Sequence, residues 1–231
     1  NRLVSASGAK NATLRYDPMG RLYETSGGAA GLTRLAYDGD ALVQEFDGSG
    51  NLLRRYVHGT DSGDDPIVWF EGNGFTDAQQ RLLRSDHQGS IVAVGDATSA
   101  SILAINSYNE YGTQGSSNQG GFQYTGQTWM PELGLYYYKA RMYSPTLGRF
   151  MQTDPIGYQG GLSLYEYVVG DPVNGRDTTG LEVSAYYSND SQRLFIVDVD
   201  KRTWAFAWSQ SGGKPFGDPV PPGNYAILER A

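Results

Sequence analysis

Residues 129–181 read WMPELGLYYYKARMYSPTLGRFMQTDPIGYQGGLSLYEYVVGDPVNGRDTTGL, and two short motifs stand out in this stretch. The first is Asp154-Pro155-Ile156-Gly157-Tyr158 and the second is Asp177-Thr178-Thr179-Gly180-Leu181. Each motif begins with aspartate and has glycine three positions later, a pattern typical of a tight turn in which the carboxylate accepts backbone N–H groups. The aromatic runs that precede the motifs predict short strands.

The composition of the whole chain favours an all-β fold. Its 231 residues include 31 Gly and 17 Tyr, and only 19% are charged. Glycines that punctuate aromatic and β-branched runs are typical of short strands joined by tight turns. The net charge is −7, so we expect no nucleic-acid partner for the chain as a whole. The sequence contains no Cys, which excludes disulfides, zinc-thiolate sites and a thiol nucleophile.

The start of the sequence predicts a fragment of a longer polypeptide, and its apolar runs predict no membrane span. The sequence opens with Asn1-Arg2-Leu3 in the middle of a pattern, and no basic-then-apolar leader is visible, so we expect no signal peptide within it. Its apolar runs are far too short to cross a bilayer, so we expect no membrane span.

A loose repeat runs through residues 1–128. Each unit has an aromatic residue, an aspartate or asparagine, a glycine within a few positions, and then an apolar strand. Asp can hydrogen-bond the backbone two residues on, and Gly supplies the positive φ of a hairpin turn. The units are Tyr16-Asp17-Pro18-Met19-Gly20, Tyr37-Asp38-Gly39, Phe46-Asp47-Gly48-Ser49-Gly50 and Tyr108-Asn109-Glu110-Tyr111-Gly112. Such hairpins cannot bury a face alone and must stack on their neighbours.

These units resemble the repeats of Rhs (YD-repeat) proteins. The end of such a protein, with its Rhs-associated core domain, is similar to three further motifs together with the two aspartate motifs. The three are Arg84-Ser85-Asp86-His87-Gln88-Gly89-Ser90, the 134–143 string GLYYYKARMY and Gly148-Arg149-Phe150. The resemblance covers residues 1–181. It implies a hairpin spiral that forms the wall of a hollow β-cocoon around a C-terminal toxin, closed by a core plug.

The resemblance also implies three domains and one self-cleavage. Residues 1–128 would be YD repeats of the shell, residues 129–181 the core domain that acts as plug and autoprotease, and residues 182–231 the start of a β-rich toxin domain. Asp154 and Asp177 would form an aspartyl dyad that cuts the bond between Leu181 and Glu182. Pro155, Gly157 and Gly180 would shape the two turns.

Paired carboxylates suit this chemistry because two close aspartates cannot both ionise cheaply and therefore share one proton. The ionised one acts as general base toward water, and the protonated one polarises the scissile carbonyl. We expect Arg141 to orient the dyad or balance its charge, with a solvated strand arginine as the alternative. Alternation along 136–143, taken as one strand, puts Arg141 on the face of the strand opposite to that of Tyr138, Ala140 and Met142. Which aspartate is acid and which is base stays open.

Several alternatives remain. Asp-Pro-x-Gly is also an ordinary structural turn, and Asp171-Pro172 is a second candidate for the second aspartate, although it lacks the Gly-Leu that follows Asp177. The family usually has Pro where this chain has Thr178, which puts the rigidity of that turn and the speed of cleavage in doubt. If no cleavage takes place, the whole chain would be a non-catalytic structural or adhesive YD-repeat module.

The segment 182–231 has its own pattern. We predict strands at 193–199 and 203–209, with a turn at 200–202. The string 217–225, GDPVPPGNY, is similar to a turn of L,D-transpeptidase-like effectors, which would imply peptidoglycan as the toxin's target.

The expected partners follow from the same resemblance. They are the chain's own toxin domain as substrate and cargo, an immunity protein and an adaptor of the secretion machinery. The protein would be a bacterial effector delivered to neighbouring cells by contact-dependent or type VI export. His58 and His87 have no partner at metal-ligand spacing, so we expect no metal and no cofactor.

Overall fold

The protein is all-β in the computed structural model, which describes residues 2–29, 31–60, 64–155, 157 and 163–181 and the backbone of 185–188, 193–198 and 203–208. Among the described residues, helical structure is limited to short 3₁₀ turns at Asp77–Gln79, Tyr124–Gly126 and Val168–Gly170. No helix in this described part is long and apolar enough to cross a membrane. The strands confirm the predicted fold class.

Ten strands form one antiparallel sheet in which each strand pairs with the next. Such a meander needs only hairpin connections. The chain bends where the register shifts beside several turns, for example at Arg15/Tyr16 and Arg84/Ser85, and β-bulges of this kind increase the local twist. The strands are β1 (Ser5–Ala6), β2 (Ala12–Tyr16), β3 (Leu22–Gly27), β4 (Gly31–Asp38), β5 (Ala41–Asp47), β6 (Leu52–His58), β7 (Pro66–Glu71), β8 (Gln80–Ser85), β9 (Ile91–Asp96) and β10 (Ile102–Ile105).

One turn geometry recurs in this part of the chain. In each case the Oδ1 atom of the first residue accepts the backbone N–H groups two and four positions later, and a glycine three positions later has a φ between +83° and +85°. The predicted Asp-to-backbone hydrogen bonds are therefore confirmed. The turns begin at Asp17, Asp47, Asp86 and Asn109.

A second sheet of four strands follows, and it packs against the first. Its strands are β11 (Thr128–Met130), β12 (Leu135–Tyr138), β13 (Arg141–Ser144) and β14 (Arg149–Phe150). Met130, Tyr137 and Met142 join the buried cluster of the ten-stranded sheet, which includes Leu22 and Trp69. Burial of this apolar surface is the main force that holds the two sheets together.

Aromatic side chains form a separate cluster beside this sheet. Its members pack with ring centroids 4.5–6.5 Å apart, a range in which aromatic pairs are attractive. They are Tyr124, Tyr136, Tyr138, Tyr143, Phe150 and Tyr167. The burial of Tyr136, Tyr137 and Tyr138 shows that this run of tyrosines packs inside the protein.

The prediction of one continuous strand over 136–143 is wrong. The chain instead turns at Lys139 and Ala140, so Tyr138 and Arg141 lie opposite each other on β12 and β13. A period-two pattern cannot reveal a two-residue turn when neither residue is Gly, Asn or Asp.

A third sheet lies beyond the predicted cleavage position. Its antiparallel strands are β15 (Ala185–Ser188), β16 (Arg193–Asp198) and β17 (Thr203–Trp208), so the two predicted strands are confirmed and β15 is additional. The predicted turn at 200–202 and the 217–225 string lie outside the described residues.

Candidate functional site

Arg141 is the centre of the candidate site, and its side chain is almost completely buried. It begins β13 directly after the Lys139–Ala140 turn, in which Lys139 has a φ of +58°. Arg141 is 2% exposed, and its guanidinium carbon lies 3.6 Å from the centre of the Phe150 ring. A buried arginine must be paired, so the alternative of a solvated strand arginine is wrong.

The guanidinium of Arg141 contacts both predicted catalytic aspartates. Its Nη1 atom lies 3.0 Å from Asp154 Oδ2, and its Nη2 atom lies 3.4 Å from Asp177 Oδ2. Both carboxylates are buried, since Asp154 is 9% exposed and Asp177 is 3% exposed. Residues far apart in the sequence are therefore brought to one buried cation.

The Asp177 turn repeats two side-chain-to-backbone hydrogen bonds of the Asp17, Asp47 and Asp86 turns. Asp177 Oδ1 accepts the backbone N–H groups of Thr179 at 3.1 Å and Leu181 at 3.3 Å, which lie two and four positions later. It also accepts the N–H of Gly180 at 2.8 Å, and Gly180 has a φ of +70°. One carboxylate oxygen thus shapes the turn, and the other faces Arg141.

The backbone carbonyls of the Asp177 turn are held one after another by the core. Gln127 Nε2 donates to Thr178 O at 3.4 Å, and the Ala140 N–H donates to Thr179 O at 3.0 Å. Arg141 Nε donates to Gly180 O at 2.6 Å. The turn therefore keeps its position without the proline that the family usually has in place of Thr178.

Burial and charge oppose each other at Asp177. Burial raises the pKa of the Asp177 carboxyl above its ordinary value of 3.8, while Arg141 and the three backbone N–H groups pull it down. One buried guanidinium compensates one carboxylate, so the pair carries excess negative charge if both aspartates ionise.

The Asp154 motif also forms a turn. The Gly157 N–H donates to Asp154 O at 3.0 Å, Gly157 has a φ of +66°, and Pro155 is exposed. The Asp154 N–H donates to Leu164 O at 2.8 Å, which fixes the start of the turn. The structural and the catalytic interpretations of this motif are therefore compatible, because the backbone makes the turn and the side chain reaches Arg141.

The alternative second aspartate lies elsewhere. Asp171 is exposed, and its carboxylate accepts hydrogen bonds from Asn174. Leu181 is half-buried, whereas Glu182 and its backbone lie outside the described residues. Arg149 is exposed, with its guanidinium carbon 5.9 Å from the centre of the Tyr165 ring.

The two histidines make other contacts than those of Arg141 and the two aspartates. A ring nitrogen of His58 lies 2.7 Å from Leu42 O, and its ring packs edge-on against Phe122. His87 is exposed in the Asp86 turn. In the part of the chain that the structure describes, no group of three His, Cys, Asp or Glu residues could hold a metal ion.

The sequence did not reveal three contacts near the site. They are made by Gln127 with Thr178, by the Phe150 ring with Arg141, and by the Gln88 side chain with Pro172 and Val173. Gln127 is fully buried, and its Oε1 atom has no hydrogen-bond partner among the described residues. A glutamine in a polar stretch carries no pattern that marks it as buried, so only the packing reveals these contacts.

The chain is similar in sequence to parts of several much longer proteins. No family model matches the sequence. The tRNA nuclease WapA of Bacillus subtilis (strain 168) is 32% identical over 182 residues, which cover 73% of this chain and 7% of that protein. Double-stranded DNA deaminase toxin A of Burkholderia cenocepacia (strain H111) is 28% identical over 203 residues, which cover 75% of this chain and 14% of that protein. The chain thus spans a small part of either relative.

A solved structure shares the fold. The crystal structure of TcdB2-TccC3 superposes with a TM-score of 0.57 at 23% sequence identity, over 76% of this chain and 9% of that chain. Identity this low supports the fold alone. The sequence similarities support a relationship to Rhs-type polymorphic toxins, and they lend no support to the L,D-transpeptidase detail.

Proposed function

We propose that this chain is the C-terminal part of an Rhs-type toxin whose core domain, residues 129–181, cuts its own backbone after Leu181. The observation that carries the proposal is the buried contact of Arg141 with the carboxylates of both Asp154 and Asp177. A structural turn needs neither burial nor a shared cation, as the exposed turns of the shell sheet illustrate.

The proposed reaction is a hydrolysis in which the dyad supplies acid and base. The ionised carboxylate takes a proton from water as the water oxygen attacks the carbonyl carbon of Leu181. The protonated carboxyl donates to the carbonyl oxygen. When the intermediate collapses, the C–N bond breaks and the nitrogen of Glu182 takes a proton. The products are a carboxylate at Leu181 and a new amino terminus at Glu182.

Positioning of the substrate supports this proposal as well. The residues just before the cleavage position are part of the Asp177 turn, which three donors of the core hold by its carbonyls. Holding a reacting group in place contributes up to about 7–11 kcal/mol of rate acceleration in well-oriented intramolecular reactions. Arg141 would keep one of the two carboxylates ionised and bind the Gly180 carbonyl.

The remaining parts of the proposal rest on the resemblance. Residues 1–128 would form part of a shell around the cargo, and residues 182–231 would begin the released toxin, which acts in a neighbouring cell. An immunity protein and a secretion adaptor would be its partners. The two relatives are named for a tRNA nuclease and a DNA deaminase, so neither supports peptidoglycan as the target of this tail.

The experiment is a time course of self-cleavage. The intact chain is purified as a denatured precursor, refolded by dilution, and followed on a denaturing gel, with fragment masses to locate the cut. Asp154→Asn and Asp177→Asn are expected to slow the cut between Leu181 and Glu182 at least about 100-fold. Asp17→Asn is the matched control, because it changes the same turn in the shell.

A non-catalytic structural module is the second candidate function. The observation that favours it is that Asp177 accepts the backbone N–H groups two and four positions later, as Asp17 does in a turn that connects two strands. A wild-type chain that stays intact after long incubation would establish this candidate, and continued cleavage of Asp177→Asn would exclude the dyad.

A further inference from the structure

Gln88 holds the segment that leads into Asp177. Its side-chain amide Nε2 lies 2.9 Å from Pro172 O, 2.6 Å from Val173 O and 3.5 Å from Gly175 O. An amide NH₂ has two hydrogens, so it makes two good hydrogen bonds, here to the first two carbonyls, and the third contact is long. Gln88 belongs to the ten-stranded sheet, whereas these carbonyls lie just before the proposed catalytic turn.

The turn that carries Gln88 is also fixed to the core on its other side. Ser90 Oγ accepts the N–H of Thr125 at 2.9 Å, and the Ile91 N–H donates to Gln123 O at 3.0 Å. The Asp86–Ser90 turn therefore lies between the core and the segment 172–175. The position of this turn therefore determines where Gln88 holds the segment 172–175.

The geometry of the turn does not itself require glutamine. The same turn in the shell has Met19 at the equivalent position, and the side chain of Met19 is exposed. The turn therefore does not depend on the glutamine side chain, whose contacts with Pro172 and Val173 are specific to this place in the fold. Met19 supplies a natural control for any change at Gln88.

We propose that Gln88 is a positioning residue for the self-cleavage, which docks the segment 172–175 and thereby places Asp177 against Arg141. This inference rests on the proposed function. Gln88 touches no reacting atom. Its loss would leave the dyad intact but let the Asp177 turn move relative to the guanidinium, and misplacement of a reacting group by about 1 Å can cost about 100-fold in rate.

The test compares Gln88→Met, which keeps the length and removes both donors, with Gln88→Lys, whose ammonium can again donate to two carbonyls. Cleavage of the refolding intact chain is expected to slow about 10- to 100-fold in Gln88→Met, to recover at least partly in Gln88→Lys, and to stay at the wild-type rate in Met19→Ala.

A second measurement keeps the inference separate from the proposed function. In an uncut Asp154→Asn background, amide hydrogen exchange at Thr179, Gly180 and Leu181 should be faster in Gln88→Met and unchanged in Met19→Ala. Wild-type cleavage and exchange in Gln88→Met would overturn the inference, and so would slowing that Gln88→Lys fails to relieve. Cleavage that persists in Asp177→Asn would instead overturn the proposed function, whatever the exchange data show for Gln88.

Discussion

The carboxylate of Asp177 accepts a hydrogen bond from the backbone N–H of Leu181 at 3.3 Å, so the candidate catalytic residue directly holds the residue after which we expect the chain to be cut. The same Oδ1 atom shapes the turn, and Oδ2 faces Arg141. Aspartates such as Asp17 occupy a similar turn elsewhere in the fold, but Asp177 is buried, and burial raises the pKa of its carboxyl.

Removal of Arg141 should abolish cleavage and destabilise the core. In Arg141→Met the carboxylates of Asp154 and Asp177 lose their buried cation, and breaking a buried ion pair in this way costs about 3–5 kcal/mol. Arg141→Lys keeps the charge but has a single nitrogen, which cannot reach all three groups that Arg141 contacts through Nε, Nη1 and Nη2, so its cleavage should also be at least about tenfold slower. Urea unfolding and the gel time course measure the two effects.

The control for this change is Arg149→Met in the same sheet. Arg149 is exposed, so its loss should change the free energy of unfolding by no more than about 0.5 kcal/mol. Equal losses of stability in the two variants would contradict the central role of Arg141.

Restoring the family's proline, Thr178→Pro, should stabilise the turn and speed cleavage. The matching turn at Asp17 already has Pro18 at the equivalent position, so the backbone there accommodates proline. A proline that fits its site stabilises a protein by about 0.4–1 kcal/mol through the unfolded chain. Thermal unfolding of an uncut Asp154→Asn background measures the stability, and slower cleavage in Thr178→Pro would count against this interpretation of the turn.

Gly180→Ala should disrupt the site more than the same change in a shell turn. A Cβ at Gly180 would lie 2.4 Å from Tyr138 O, and its φ of +70° is unfavourable for alanine. At Gly50 the φ is +85° but nothing lies within 4 Å of an added Cβ. We expect a cost of about 1–2 kcal/mol for Gly50→Ala from the backbone alone, and a larger loss with slowed cleavage for Gly180→Ala. Similar urea midpoints for both variants would show that the close approach to Tyr138 is unimportant.

The rate of self-cleavage should fall as pH rises through the folded pKa of Asp177. Burial raises this pKa above 3.8, so the folded chain holds the proton more tightly than the unfolded chain. The stability linked to this group is therefore fully present below the ordinary value of 3.8 and is lost as pH rises through the folded pKa. The shared proton that the mechanism needs is lost over the same range.

Refolding the precursor across a pH series and measuring the initial rate on gels tests this expectation. Near-ultraviolet circular dichroism at each pH is the control for folding itself. A rate that keeps rising with pH after folding is complete would contradict a protonated member of the dyad.

The sequence by itself determined the turns and the strand pattern. Asp17, Asp47 and Asp86 each stand three positions before a glycine, and local hydrogen bonds with a positive φ are enough to fix such a turn. The pairing of Asp154 with Asp177 was predicted from a resemblance of ordered motifs, and the fold does bring both to Arg141.

Only the tertiary structure decided which of these similar turns becomes a candidate site. The Asp177 and Asp17 turns share the hydrogen bonds from the backbone N–H groups two and four positions later, but burial raises the pKa of Asp177. At the half-buried Asp17 the effect of desolvation is outweighed by hydrogen bonds and the charge of Arg21, which lower the pKa. Local sequence sets the geometry of a turn because its hydrogen bonds join neighbouring residues. Solvation and the approach of Arg141 depend on distant parts of the chain, and these alone give the same turn a different chemistry.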